Sequence, residues 1–138
     1  MKEENKVAHM NMVQQIITRM GNNSFMLKGW TIGIMVAVFA FAGKDAHKAI
    51  MITIIPLGVI WFLDSYYLTI ERKYRALYEE IRLKKESEIT FDMNFNNVKL
   101  TMNNIKKYSI FNTFTSISVM PFYLVCIVTT LLLYLIKI

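Results

Sequence analysis

The chain of 138 residues is strongly apolar and carries an excess of positive charge. Hydrophobic residues make up 54% of it, and the formal net charge at pH 7 is +6. So apolar a composition argues against an ordinary soluble domain. Nearly all the charges lie near the N-terminus or between residues 71 and 114, which favours contact with a membrane surface over nucleic-acid binding.

Three apolar segments dominate the sequence: Phe25–Gly43, Ala49–Ile70 and Thr115–Ile136. Each is long enough, or nearly so, to cross a hydrocarbon core, which needs roughly 20 helical residues. They predict an all-α membrane protein with three transmembrane helices, the first two forming an antiparallel hairpin. The predicted divisions are an amphipathic N-terminal segment (1–24), a transmembrane hairpin (25–70), a cytoplasmic helix with a connecting segment (71–114) and a third transmembrane helix (115–138).

The N-terminal segment has the spacing of an amphipathic helix. Met10, Val13, Ile17 and Met20 recur at intervals of three and four residues. The run Gly21-Asn22-Asn23 is predicted to end this helix, because Gly and Asn tolerate the left-handed backbone at a helix C-terminus. We therefore expect a separate helix that lies on the membrane surface or packs on the cytoplasmic segment.

Small residues recur every fourth position in the first span, at Gly29, Gly33 and Ala37. Such spacing lets another helix backbone approach closely. The partner is either a helix of another copy of the chain or the second span of the same chain, and the sequence leaves both open.

The second span is predicted to continue as one long helix from about Ala49 to about Lys85. Its apolar stripe continues past the membrane, and no Gly or Pro follows Gly58 until well beyond residue 90. Pro56 removes one backbone hydrogen bond and is a predicted hinge. This stripe must be covered by the N-terminal helix or by another copy of the chain.

The connecting segment changes character after the long helix. Residues 89–100 alternate apolar and polar side chains, which predicts an extended piece, followed by a short helix near Thr101–Phe111. Pro121, near the start of the third span, is the second predicted hinge.

Asp64 is the strongest functional candidate because it is an ionisable residue inside an apolar span. Lys28 is its predicted partner, since both residues are equally far from the turn of the hairpin and should lie at similar depth. The pair is expected to neutralise both charges and to fix the helix register, and a pair that breaks on activation would be a switch. Asp64 as a pore-lining or gating carboxylate, or as a water-exposed side chain, stays open.

Lys and Arg set the predicted orientation. Thirteen of them lie in the N-terminal flank or between residues 71 and 114, and three lie on the opposite side of the predicted spans. The N-terminus is therefore expected in the cytoplasm and the C-terminus outside.

A resemblance adds to this interpretation. It rests on the runs Met10–Trp30, Trp61–Glu80 and Ser118–Tyr123, and above all on the Asn-Asn-Ser-Phe and Leu-Asp-x-Tyr-Tyr elements. The chain resembles a group of small bacterial membrane proteins of antiphage defence loci that encode TIR-type signalling proteins, and in plan it resembles the SLATT-like effectors. The resemblance implies an effector that oligomerises and breaches the inner membrane when a signalling protein or a nucleotide-derived signal triggers it.

The sequence contains no phosphate loop, metal-ligand cluster or nucleophile–base pair in a recognisable context. We therefore expect no enzyme, no catalytic residue, no metal and no cofactor. The expected function is a homo-oligomeric inner-membrane effector that forms or gates a pore, in antiviral defence. A membrane anchor that recruits a soluble partner and a small ion-coupled transporter are the alternatives. The expected partners are the lipid bilayer, further copies of the chain and a signal, but no nucleic acid.

Overall fold

The computed structural model describes residues 4–41, 46–98 and 108–135. In these ranges the chain is mostly helical and contains no strand. The helices are α1 (Glu4–Phe41), α2 (Ala46–Leu83), α3 (Ile110–Phe114) and α4 (Met120–Leu135), with single 3₁₀ turns at Glu86–Glu88 and Phe95–Asn97. The connection between α1 and α2 and the predicted helix over Thr101–Phe111 fall largely outside the described residues.

α1 and α2 are 38 residues each and pack side by side as an antiparallel pair. The expected long helix through the second apolar segment is confirmed, since α2 runs without interruption from Ala46 to Leu83. Pro56 lies inside α2 and does not end it.

The predicted break at Gly21-Asn22-Asn23 is wrong, because α1 is one helix from Glu4 to Phe41. A Gly inside a helix costs about 1 kcal/mol relative to Ala. Burial of Val13 and Ile17 against α2 outweighs that cost, since each fully buried aliphatic side chain contributes about 1.5–3 kcal/mol. Gly21 itself faces α2, where a Cβ atom would lie 3.8 Å from Glu71 Oε2.

The third apolar segment is divided rather than continuous. α3 ends at Phe114, residues 115–119 form turns, and α4 begins at Met120. Pro121 lies in the first turn of α4, where the missing N–H breaks no helical hydrogen bond. α4 has 16 described residues, fewer than the roughly 20 of a full span.

The buried apolar residues form two clusters. The first, here the loop-side core, comprises Val13, Ile17, Ala76, Leu77, Ile81 and Val98. The second, here the span-side core, comprises Met35, Leu57, Val119, Tyr123 and Cys126. The stripe that continues α2 past its apolar half is thus covered by the N-terminal half of α1 and by residues 84–98.

Residues 84–98 form an irregular loop over the loop-side core instead of the predicted extended piece. Glu86 fixes this loop to the start of α1: its Oε1 accepts from Asn5 N at 2.9 Å and its Oε2 from Lys6 N at 3.2 Å. These N–H groups have no partner within their own helix, and a carboxylate also complements the positive end of the helix dipole.

Two helices are long and apolar enough to cross a membrane: Glu4–Phe41 and Met51–Leu83. Large apolar side chains on both point away from the chain, among them Phe25, Trp30 and Ile55. A helix from the core of a soluble protein would bury most of such residues, whereas lipid covers them at no cost.

Candidate functional site

Asp64 is the centre of the candidate site, with its side chain fully buried at 0% exposure. The structure brings Lys28 to it, with Lys28 Nζ 2.6 Å from Asp64 Oδ2. The lysine side chain keeps 23% exposure, so the pair extends from between the helices to their surface. The antiparallel register that places Gly21 beside Glu71 also sets these two residues opposite each other.

Ser24 completes the network around the carboxylate. It lies one turn before Lys28 on α1, and its hydroxyl donates to Asp64 Oδ1. Ser24 Oγ in turn accepts from Lys28 Nζ at 2.9 Å. Both oxygens of Asp64 are therefore engaged by α1, one by a charged donor and one by a hydroxyl.

Tyr123 brings α4 to the same place. Its side chain is buried at 0% exposure, and its hydroxyl lies near Asp64 and Thr31. It forms no hydrogen bond of ordinary geometry in the described part of the chain. The Thr31 hydroxyl donates its proton to Leu27 O at 2.8 Å, so towards Tyr123 it has only acceptor capacity. The Tyr123 hydroxyl is thus a second donor beside a carboxylate that already accepts one hydrogen bond at each oxygen.

Aromatic stacking fixes Tyr123 in this position. The Trp61 ring stacks on Phe114 at 4.2 Å and on Tyr123 at 5.6 Å between ring centroids. Trp61 Nε1 also donates to Phe114 O at 3.3 Å. One α2 side chain, one turn before Asp64, therefore anchors both α3 and α4.

Polar contacts continue this attachment along α2. The hydroxyls of Thr69 and Thr113 lie 2.7 Å apart in a buried position. Arg72 Nη2 donates to Ser116 Oγ at 2.7 Å. These contacts join α2 to the α3–α4 segment on the side of Asp64 that leads to the loop-side core.

The chemistry of this arrangement is that of a buried charge pair. A buried pair adds little net stability compared with well-packed apolar residues, but removal of one partner costs about 3–5 kcal/mol because a charge is left uncompensated. The pair therefore specifies one helix register strongly and resists any motion that separates the two residues.

The other predicted residues lie apart from this network. Gly29, Gly33 and Ala37 face outward, and a Cβ atom at Gly29 or Gly33 would meet no atom within 4 Å. Within one chain these positions do not pack against α2. Pro56 lies in α2 away from Asp64, whereas Pro121 is two residues before Tyr123.

Ser24 and Tyr123 are site residues that the sequence did not reveal as such. Ser24 has a signal in hindsight, because it precedes Lys28 by four residues and so shares its helix face. Tyr123 has none, since nothing local in the sequence indicates which side of α4 meets α2.

In the described ranges no group of three or more His, Cys, Asp or Glu side chains is placed to hold a metal ion. Comparison with known proteins adds no further constraint: no family model matches the chain, and neither a curated protein nor a solved structure matches it.

Proposed function

We propose that this chain is the subunit of a homo-oligomeric inner-membrane effector of bacteria, which forms or gates an ion pathway and disrupts the membrane on a signal, in antiviral defence. The observation that carries the proposal is Asp64, a fully buried carboxylate in an apolar helix, which forms an ion pair with Lys28 and accepts a hydrogen bond from Ser24. Ionisable groups in such positions are costly and are typical of ion and proton pathways.

In this proposal the described arrangement is the closed state. Asp64 is inaccessible while Lys28 holds it, so an ion pathway that uses the carboxylate requires the two helices to separate. Tyr123 supplies the replacement donor: when Lys28 leaves, its hydroxyl is free to bond the vacated oxygen. In the open state the carboxylate of Asp64 then accepts a hydrogen bond from Tyr123 and has lost its ion pair with Lys28.

Assembly supplies the pathway that one chain lacks. The outward face at Gly29, Gly33 and Ala37 lets a helix of another copy approach closely. α1, α2 and α4 are the three spans, and the bilayer is locally thinner around α4 because this helix is short. The excess of Lys and Arg in the N-terminal flank and between residues 71 and 114 supports a cytoplasmic side for these parts, which would receive the signal.

The test is the membrane potential of bacteria that express the chain, followed with a voltage-sensitive dye. The wild type is expected to collapse the potential, and Asp64→Leu is expected to leave it intact while inserting at the same level. Glu79→Gln is the matched control, because Glu79 is an exposed carboxylate on the same helix and should leave the collapse unchanged.

Two results would contradict the proposal. The first is a wild type that never depolarises cells and is strictly monomeric in mild detergent. The second is an Asp64→Leu variant that depolarises cells as fast as the wild type.

The loop-side core favours one alternative, a membrane anchor that recruits a soluble partner. Residues 71–98 form, with the start of α1, a folded unit outside the most apolar stretch. An anchor predicts a stable soluble partner bound to this unit and no change in membrane potential. Affinity purification that recovers no such partner would count against it.

A further inference from the structure

A small cavity lies where the loop of residues 84–98 closes over α1 and α2, away from the Lys28–Asp64 pair. Its volume is about 60 Å³, and His9, Glu80, Lys84 and Asp92 contribute to its lining. A site of this size holds a few water molecules or a molecule of similar size. Nothing in the proposed function uses it.

Two buried atoms in this lining have no hydrogen-bond partner in the described ranges: His9 Nδ1 and Glu80 Oε2. Both residues are buried: His9 is 3% exposed as a whole residue, and the side chain of Glu80 is 10% exposed. An unsatisfied buried polar atom costs about 1–3 kcal/mol, so such atoms point to an occupant.

The chemistry of both atoms is that of acceptors. His9 Nε2 lies 3.1 Å from the carbonyl oxygen of Asp92, and since a carbonyl only accepts, Nε2 carries the proton. In the neutral ring Nδ1 is then left with a lone pair. Glu80 Oε1 is engaged by Lys84 Nζ at 2.8 Å, which leaves Oε2. The occupant must therefore donate.

The charge of the lining favours a cation. Hydrogen bonds from the Asn97 side chain and from Asn94 N hold the pKa of Asp92 below its ordinary value, so this residue is ionised at neutral pH. Glu80 and Asp92 supply two negative charges, and Lys84 supplies one positive charge. Lys84 forms its ion pair with Glu80, so the carboxylate of Asp92, at the exposed side of the lining, adds negative charge there.

The backbone beside His9 is strained. Phe91 has φ of 53°, a left-handed conformation that is unfavourable for a bulky residue. Its ring packs against the His9 ring at 5.4 Å between centroids. Strain of this kind is retained where the surrounding structure requires it, and it is concentrated at ligand sites.

We propose that this cavity binds a small ammonium-type cation, whose N–H groups donate to His9 Nδ1 and Glu80 Oε2. A metal ion fits less well, because the described residues offer no set of three suitable ligands. The site is independent of the proposed function and exists whether or not the chain conducts ions.

The experiment uses the full-length protein in detergent micelles with ¹⁵N-labelled histidine, and the probe is methylammonium chloride. The chain has two histidines, so a His47→Asn background leaves His9 as the single imidazole signal. Methylammonium is expected to shift the Nδ1 resonance saturably. Sodium chloride of equal ionic strength, and tetramethylammonium, which has no N–H donor, are expected to leave it unchanged.

Variants locate the site on α2. Glu80→Gln is expected to weaken methylammonium binding by roughly tenfold, whereas Glu79→Gln, the exposed neighbour, changes it by less than about twofold. If Glu80→Gln fails to fold, the comparison of the three salts on the parent protein still shows whether a cation with N–H donors binds in the cavity. An unsaturable shift, an equal shift with tetramethylammonium, or a response to pH alone would overturn the proposal and leave the cavity to water or to a proton.

Discussion

Two regions of the helix pair differ in how a buried carboxylate is satisfied: the span-side end, meaning the part around Asp64, and the loop-side end, meaning the part around Glu80. At the span-side end, Asp64 has both oxygens engaged, by Lys28 and Ser24. At the loop-side end, Glu80 has one oxygen engaged and the other without a partner among the described residues. A complete network fixes one arrangement, whereas an incomplete one retains the capacity to bind. The first end is therefore suited to hold a state and the second to receive a ligand.

The surroundings of the two ends differ accordingly. The network at Asp64 lies among apolar helix faces that are exposed in the single chain and suited to lipid or to further copies. The cavity at Glu80 lies under an irregular loop that Glu86 fixes to the start of α1. Variants at each end should therefore have effects that stay at that end.

The largest expected effect is that of Lys28→Met, which leaves Asp64 buried without its charge partner. We expect a loss of about 3–5 kcal/mol in the free energy of unfolding. The measurement is unfolding in mixed micelles followed by circular dichroism. Arg82→Met is the control, because its ion pair with Glu79 is exposed and should contribute less than about 1 kcal/mol.

The double variant Lys28→Met/Asp64→Leu sharpens this result. Replacement of both charges by apolar side chains removes the uncompensated carboxylate, so stability should return close to that of the wild type. Equal stability for Lys28→Met and Arg82→Met would mean that the pair is not buried in the membrane-embedded protein.

A smaller and local effect is expected for Ile81→Ala in the loop-side core, where Ile81 is almost fully buried. Such truncations lower the free energy of unfolding by roughly 2–5 kcal/mol. The loss for Ile81→Ala should lie at the lower end of that range, because the loop can relax into the space. Hydrogen exchange should accelerate in residues 84–98 and at the start of α1, while amides around Asp64 keep their rates. Exchange that accelerates uniformly would show that the two cores unfold as one unit. Leu83→Ala, at an exposed position, should change neither region.

Tyr123→Phe should separate stability from function. The change removes one buried hydroxyl that has no partner in the described state, so stability should rise by about 1 kcal/mol. The proposed open state loses its replacement donor, so depolarisation of cells should slow. A variant that is less stable than the wild type would indicate that the hydroxyl is hydrogen-bonded in the closed state.

The smallest expected effect is a pH dependence at Asp92. Its pKa is lowered from the ordinary 3.8, chiefly by the hydrogen bond from Asn97. The ionised form is therefore favoured by folding: its contribution is complete above pH 3.8 and is lost as the pH falls through the lowered value. Amide chemical shifts of Asn94 and Asn97 should report this transition, and Asp92→Asn should abolish it.

Much of the span-side arrangement was predictable from the sequence. The length of the second apolar segment identified α2. Lys28 was identified as the residue opposite Asp64 because both are equally many residues from the predicted turn of the hairpin. Both rest on the constant rise of a helix, so counting residues suffices. The predicted helix end at Gly21 was wrong because it rested on local backbone preference alone. That preference is worth about 1 kcal/mol, and packing of α1 against α2 exceeds it.

The loop-side end and α4 were beyond sequence reasoning. His9 and Glu80 are 71 positions apart, and each has an ordinary solvent-facing explanation when taken singly. Alternation over 89–100 indicated an extended piece, but the described part of that segment has no neighbouring strand with which to pair. Pro121 indicated a hinge, whereas the position of Tyr123 depends on stacking with Trp61 across two elements.

Ion flux into vesicles that contain the purified protein tests the central claim most directly. The account predicts that Lys28→Met, which frees Asp64 without a signal, makes the vesicles more permeable than the wild type does, and that vesicles with Lys28→Met/Asp64→Leu, at equal protein content, are sealed. Equal permeability for Lys28→Met and the double variant would contradict a role of the Lys28–Asp64 pair in an ion pathway.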